Sequence, residues 1–370
     1  MVAGTRSLVI STFAMQARSI QLTTLQAVRG AGALMVVLFH ATGMVRTMPS
    51  AFRYAFAWGY CGVDFFFVLS GFILLYVHWG QIGHPETLAT YFGKRLSRIF
   101  PAYWTVLALV VPTCLLVSGM ASPEKKHTSY IAASFFLLPQ WDPFLGVAWS
   151  LSCEIVFYLV FALLILNRKS FAVTVALWLV LIGTNLVHRL HAPFDFLCQA
   201  RMIEFLAGMC IAWATRRGFR IPVRWSIALV AAGASICLIA GCIQIAHGLG
   251  GNLYPLWFGL AAVLIISSLI SLELRGAMSA GRAWLLLGDA SYSIYLVHYP
   301  VLLVMFKLSP RRIPLHGDWL LAIIAAVLGG IVFHLLIEKR LCYLARRIAE
   351  RRPAVPESLG LAKASHGATA

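Results

Sequence analysis

Apolar residues run through this chain in long unbroken stretches, and polar residues gather in short segments between them. Windows of about 19 residues pick out ten stretches able to cross a hydrocarbon layer of about 30 Å. They lie near 27–45, 61–79, 101–119, 147–166, 170–187, 200–215, 226–246, 253–271, 284–306 and 319–340. Period-two alternation, which a membrane barrel requires, is missing from these runs, so the pattern predicts an all-α polytopic transmembrane helix bundle of about ten spans. The sixth span is short and carries Arg201 and Glu204, while the apolar stretch YIAASFFLLP at 130–139 is too short to cross. No internal repeat of fixed period interrupts the pattern.

Composition agrees with this reading and removes one alternative. Of the 370 residues 60% are hydrophobic and 12% charged, which is too apolar for a soluble core. The net charge of +17 would suggest nucleic acid in a soluble protein, but here the Lys and Arg sit in the short loops where topology is decided, so no nucleic-acid partner is expected. The loops holding Lys94, Arg95 and Arg98, then Arg168 and Lys169, then Arg216, Arg217, Arg220 and Arg224, then Arg275 and Arg282 all fall on one side. That side is expected to be cytoplasmic, together with both termini.

Three segments follow: 1–24 as a cytoplasmic N-terminal segment, 25–342 as the membrane domain, and 343–370 as a basic, disordered cytoplasmic tail. The apolar patch LVISTFAM is too short and poor for a signal peptide core. Eight scattered cysteines form no CxxC and no metal-ligand spacing, so no metal is expected. Cys61 and Cys198 lie in or near segments placed outside, which leaves a disulfide between them open.

Ionisable groups inside the spans are the candidate chemistry, because burying them in hydrocarbon is costly. Arg29 and His40 are eleven residues apart, so at about 100° per residue they return to one helix face, separated by about 16 Å along the axis. Arg29 then stands near one membrane surface and His40 about halfway across. Asp64 enters the second span one turn from its end, placed either to orient a histidine or to cap the helix. Arg95 and Arg98, three apart, share a face suited to clamping phosphates, although positive-inside anchoring puts basic residues at the same place.

Glu154 sits two turns inside the fourth span and needs a cationic or hydrogen-bonding partner. The segment GDASYSIYLVHYP at 288–300 adds Ser291, Tyr292, Tyr295 and a second deep histidine, His298, a polar and aromatic face suited to a hydroxyl-rich ligand or to helix–helix hydrogen bonds. Two weaker pairs are Arg201 with Glu204 and His334 with Glu338.

Taken in order, R-x10-H from Arg29 to His40, GVDFFFVLSGF at 62–72, the RxxR of Arg95 and Arg98 followed by IFPAYW, WSLSCEIVFY, and GDASYSIYLVHYP resemble the acyltransferase-3 family of integral membrane O-acyltransferases. The likeness covers about residues 22–342, and LQAVRGAGALMVVLFHA is most similar to the short exopolysaccharide acyltransferases without a fused SGNH hydrolase-like domain. The resemblance implies a ten-helix bundle in the bacterial inner membrane. It would move an acyl group, usually acetyl from acetyl-CoA, onto a hydroxyl of a polysaccharide or lipid-linked glycan.

No permanently bound cofactor is implied; acyl-CoA, membrane lipid and the polysaccharide assembly machinery are the implied partners. His40 takes the place of the catalytic histidine, and Arg29, Arg95 and Arg98 match the positions associated with the CoA donor. One departure stands out: the family more often has two acidic residues in the W-S-L-S segment, whereas here Cys153 precedes the single Glu154.

On that reading His40 is the general base on a sugar hydroxyl, with Glu154 or Asp64 holding its tautomer. A variant has His40 carry the acyl group covalently, and the residues alone do not choose between them. The same buried charges also fit a proton-coupled transporter or flippase of a lipid-linked or anionic substrate. The phosphate-clamp spacing beside a deep base, and the lack of paired Gly/Pro-broken helices, favour the enzyme.

Overall fold

The computed structural model describes residues 22–45, 54–117, 122–247, 253–308 and 315–350. Among them, nine helices are long and apolar enough to cross a membrane, and no strand occurs. The protein is a multi-pass helical membrane protein. Its longer helices are α1 (Thr23–Met44), α2 (Gly62–His78), α3 (Leu88–Leu116), the short α4 (Thr128–Phe135), α5 (Trp149–Leu166), α6 (Arg168–Val187) and α7 (Met202–Arg216). After these come α8 (Val223–His247), α9 (Tyr254–Leu274), α10 (Arg282–Asp289), α11 (Ser291–Leu308), α12 (Leu315–Phe333) and α13 (Lys339–Glu350).

Three departures from the sequence pattern concern boundaries. Helix α3 begins at Leu88, well before the expected 101, because the basic turn with Arg95 and Arg98 continues as helix into the apolar run without a break at Pro101. The expected ninth span, 284–306, is divided at Ala290 into α10 and α11. The last span passes through a π-helical turn, His334–Glu338, into α13, so residues 343–350 of the expected disordered tail are helical. The remainder of that tail, and nearly all of segment 1–24, lie outside the described residues.

Helix α1 is the hub of the bundle, packing on α2, α9, α10, α11 and α12. Small residues permit this: Ala33, Val37 and Ala41 form a buried cluster with Ala290, Ile294, Leu302, Ala322 and Ala326. The start of α1 is held by Glu273 at the end of α9, whose carboxylate accepts from the Thr23 and Thr24 amides at 2.6 and 2.9 Å and from both hydroxyls at 2.5 Å. A carboxylate satisfying the free N–H groups of a helix start also opposes the positive end of its dipole.

Helices α2 and α7 cross at glycines. A Cβ on Gly71 would fall on the Phe205 carbonyl, and one on Gly208 would fall on the Val68 carbonyl, so the two backbones touch directly. Helix α6 lies at the rim, with only Trp178 and Ile182 buried. No disulfide joins the cysteines among the described residues; Cys61 faces Cys237 on α8 at 3.6 Å and not Cys198, because the turn before α2 packs against α8, with Trp58 against Gly241.

Candidate active site

Two cavities are stacked along the bundle beside α1, with Val63 and Tyr295 lining both. The smaller, about 70 Å³, is lined by Arg29 from α1, Arg95 and Arg98 from α3, Ser70 from α2, Glu154 and Tyr158 from α5, and Ser291 and Tyr292 from α11. The larger, about 420 Å³, is lined by His40, Tyr60, Trp141, Trp149, Asn185, Gln199 and Arg201 among others. One helix thus supplies an arginine to one cavity and a histidine to the other, as the eleven-residue spacing requires.

The histidine is half of a dyad. His298 Nε2 lies 3.0 Å from His40 Nδ1, and the two rings are tilted at 40°. Each ring also bonds the carbonyl one turn back on its own helix, His40 Nδ1 to Val36 and His298 Nδ1 to Ile294, both at 3.1 Å. A carbonyl only accepts, so both neutral rings carry their proton on Nδ1. His298 Nε2 is then the acceptor for His40 Nδ1–H, and the lone pair of His40 Nε2 is left without a partner among the described residues.

This arrangement corrects the expected partners of His40. Asp64 is fully buried and accepts from Arg201 Nε at 2.9 Å, so it is engaged as a salt bridge and bonds neither histidine. Arg201 pairs with Asp64 rather than with Glu204, and its guanidinium rests 5.4 Å from the Trp149 ring centre. Glu154 accepts from Tyr158 at 2.6 Å and from Ser70 at 3.2 Å, in the arginine cavity. Neither carboxylate holds the tautomer; the second histidine and two backbone carbonyls do.

The expected acceptor residues are divided in the same way. His298 is buried behind His40 and lines neither cavity. Ser291 and Tyr292 face the arginine cavity, where their hydroxyls donate to Gly288 and Ile99 carbonyls at 2.7 and 2.8 Å. Tyr295 stands between the cavities, its hydroxyl donating to Val147 at 3.0 Å and sharing a hydrogen bond with Ser150 at 2.7 Å.

The three arginines do meet in one place. Arg29 donates to Gln26 at 3.1 Å, Arg95 is tied to His78, and Arg98 makes no side-chain hydrogen bond or ion pair with any described residue. Three guanidinium groups against one engaged carboxylate leave a strong surplus of donors, a setting for a polyanion. The sequence reading passed over His78, Tyr158, Asn185 and Gln199. The last two brace the wall of the larger cavity through carbonyls of the 195–198 turn, Asn185 donating to Asp195 and Cys198 and Gln199 to Phe196. Only a polar residue in an apolar run could have flagged them.

The helix bundle and its paired intramembrane cavities define a multi-pass membrane protein with a buried polar site. Residues 22–337 match the family described as an acyltransferase domain, and the chain belongs to this acyltransferase-3 family of membrane acyltransferases. The exopolysaccharide production protein ExoZ of Rhizobium meliloti (strain 1021) is 30% identical over 301 residues, covering 77% of this chain and 90% of that protein. The acyltransferase MdmB of Streptomyces mycarofaciens is 24% identical over 392 residues, covering 92% and 95%. The peptidoglycan O-acetyltransferase OatA of Listeria monocytogenes is 26% identical over 297 residues, where the match takes in 68% of this chain but 47% of that longer protein. No solved structure matches the chain.

Proposed function

We propose that this acyltransferase moves an acetyl group from acetyl-CoA to a hydroxyl of an exported or cell-surface carbohydrate at the bacterial inner membrane. The observation that carries this reading is the pair of stacked cavities, arginines in one and an unpartnered histidine nitrogen in the other, with Val63 and Tyr295 lining both. The arginine cavity suits the diphosphate of a CoA thioester arriving from the cytoplasmic side, where the basic loops are expected. The larger cavity combines the flat faces of Trp141, Trp149 and Tyr60 with the amides of Asn185 and Gln199, a lining that suits a sugar. Exopolysaccharide and peptidoglycan in the names of relatives support a glycan acceptor.

In the reaction, His40 Nε2 takes the proton of the acceptor hydroxyl as its oxygen attacks the thioester carbonyl. The carbon–sulfur bond breaks, and the departing thiolate takes that proton back from His40. While His40 is charged, the lone pair of His298 Nε2 faces its Nδ1–H and stabilises the imidazolium, so the second histidine does the work expected of a carboxylate.

The test uses membrane vesicles, labelled acetyl-CoA and the glycan. Label reaching the glycan, and falling by about 10²–10⁴-fold or more in His40→Ala at equal expression, is the expected result. Passage of intact substrate without transfer of label would identify a transporter instead.

A further inference from the structure

Arg95 is not free to turn. Its Nε and Nη2 both lie on His78 Nε2, at 3.0 and 2.6 Å, where the last turn of α2 meets the basic turns of α3. An arginine only donates, so His78 Nε2 carries a lone pair and the ring is neutral. Its Nδ1–H then donates to Gln81 Oε1 at 2.5 Å. The ring is buried and set edge-on by Tyr91 at 5.0 Å and 81°, while the Tyr91 hydroxyl is itself tied to the Tyr158 carbonyl at 3.0 Å. Gln81, His78 and Arg95 therefore form a chain of fixed polarity ending on a guanidinium that lines the smaller cavity. With the Nε–Nη2 edge occupied, the outer edge, made of Nη1 and the second N–H of Nη2, is left over for that cavity.

We propose that His78 is a positioning residue of the donor site: as a neutral acceptor it holds one edge of Arg95 so that the remaining edge meets the phosphates of the acyl donor. This rests on the reading of the arginine cavity as a CoA site. A lysine or an unbraced arginine there would supply charge without direction, and direction is what a bidentate phosphate contact requires. Nothing in the chemical step passes through His78, so its loss is felt in donor binding.

The experiment measures binding of free CoA and of S-acetylpantetheine, which lacks the nucleotide and its phosphates, to purified protein in lipid nanodiscs. In His78→Leu, CoA is expected to bind about tenfold or more weakly, with S-acetylpantetheine unchanged, and in turnover KM for acetyl-CoA rises while kcat holds. His78→Gln, whose side-chain oxygen replaces Nε2 as an acceptor, is expected to restore CoA binding to within about threefold. A double variant with Arg95→Ala should be no weaker than Arg95→Ala alone, since the effect travels through that residue.

If His78→Leu does not fold, His78→Asn, whose acceptor stops short of Arg95, takes its place with the same expectation. Equal CoA binding by His78→Leu and wild type overturns the proposal, as does an equal loss in Leu and Gln variants or an additive double variant. Wild-type protein that fails to bind CoA at all instead removes the donor-site reading beneath it.

Discussion

A histidine inside a helix commonly satisfies Nδ1 on the carbonyl one turn back, and both His40 and His298 do so. What makes the pair chemical is that these local bonds fix the two tautomers in series, giving a directed path from His40 Nδ1–H to a lone pair on His298. We expect His298→Leu to leave KM for acetyl-CoA near wild type and to lower kcat about 10- to 100-fold, because the charged His40 loses its acceptor. His298→Gln, which keeps an acceptor, should recover part of the loss; steady-state kinetics on the three proteins decide it, and an unchanged kcat in the Leu variant would rule out the dyad. Arg29 and His40 were legible in the sequence because helical period alone puts them on one face. Their partners were not: Asp64 and Glu154 have the right chemistry and depth, but Arg201, Tyr158 and Ser70 reach them first.

At the scale of the helix, the site depends on close crossings. Gly71 and Gly208 bring α2 and α7 into backbone contact, which sets Asp64 on one helix against Arg201 at the start of the other. Gly208→Val should therefore overlap the Val68 carbonyl and cost about 1–3 kcal/mol or more of stability, whereas Gly43→Ala, where an added Cβ meets nothing within 4 Å, should be tolerated. Size-exclusion yield and thermal midpoint in detergent compare the two, and a Gly208→Val protein as stable as Gly43→Ala would contradict the crossing. The spans were legible from their apolar runs. The interruption at Ala290 and the π-helical turn at His334–Glu338 were not, since each falls within a window apolar enough on average to read as one span. That turn brings His334 Nδ1 and Ser293 Oγ onto Glu338 at 2.7 and 2.5 Å, a cluster made by the π-helical turn and the first turn of α11.

For the whole molecule, the decisive feature is that two cavities share a wall. Tyr295 belongs to both and is anchored by Val147 and Ser150, so its ring stands between the arginines and His40. Removing that ring should let water reach the bound thioester. We expect Tyr295→Ala to release free CoA from acetyl-CoA several-fold faster than wild type when no glycan is present, with Tyr295→Phe close to wild type because the ring remains. A thiol-reactive dye follows the release directly. No rise in the Ala variant would mean that Tyr295 does not separate the donor from water.

Hydropathy, loop charge and helical period are properties of neighbouring residues, so the sequence by itself determined the helical membrane bundle, most span positions, and the placing of Arg29 and His40 on one face. Its ordered motifs also pointed to the acyltransferase-3 family. Which polar groups pair across the bundle depends on contacts between residues far apart in the chain, 137 positions for Asp64 with Arg201 and 258 for His40 with His298. Only the tertiary structure decided that a histidine rather than a carboxylate supports His40, that His78 holds Arg95, and that two cavities share a wall at Val63 and Tyr295. Inside a membrane each buried polar group takes whichever partner the helix packing brings within reach, and packing geometry is not written in any one helix.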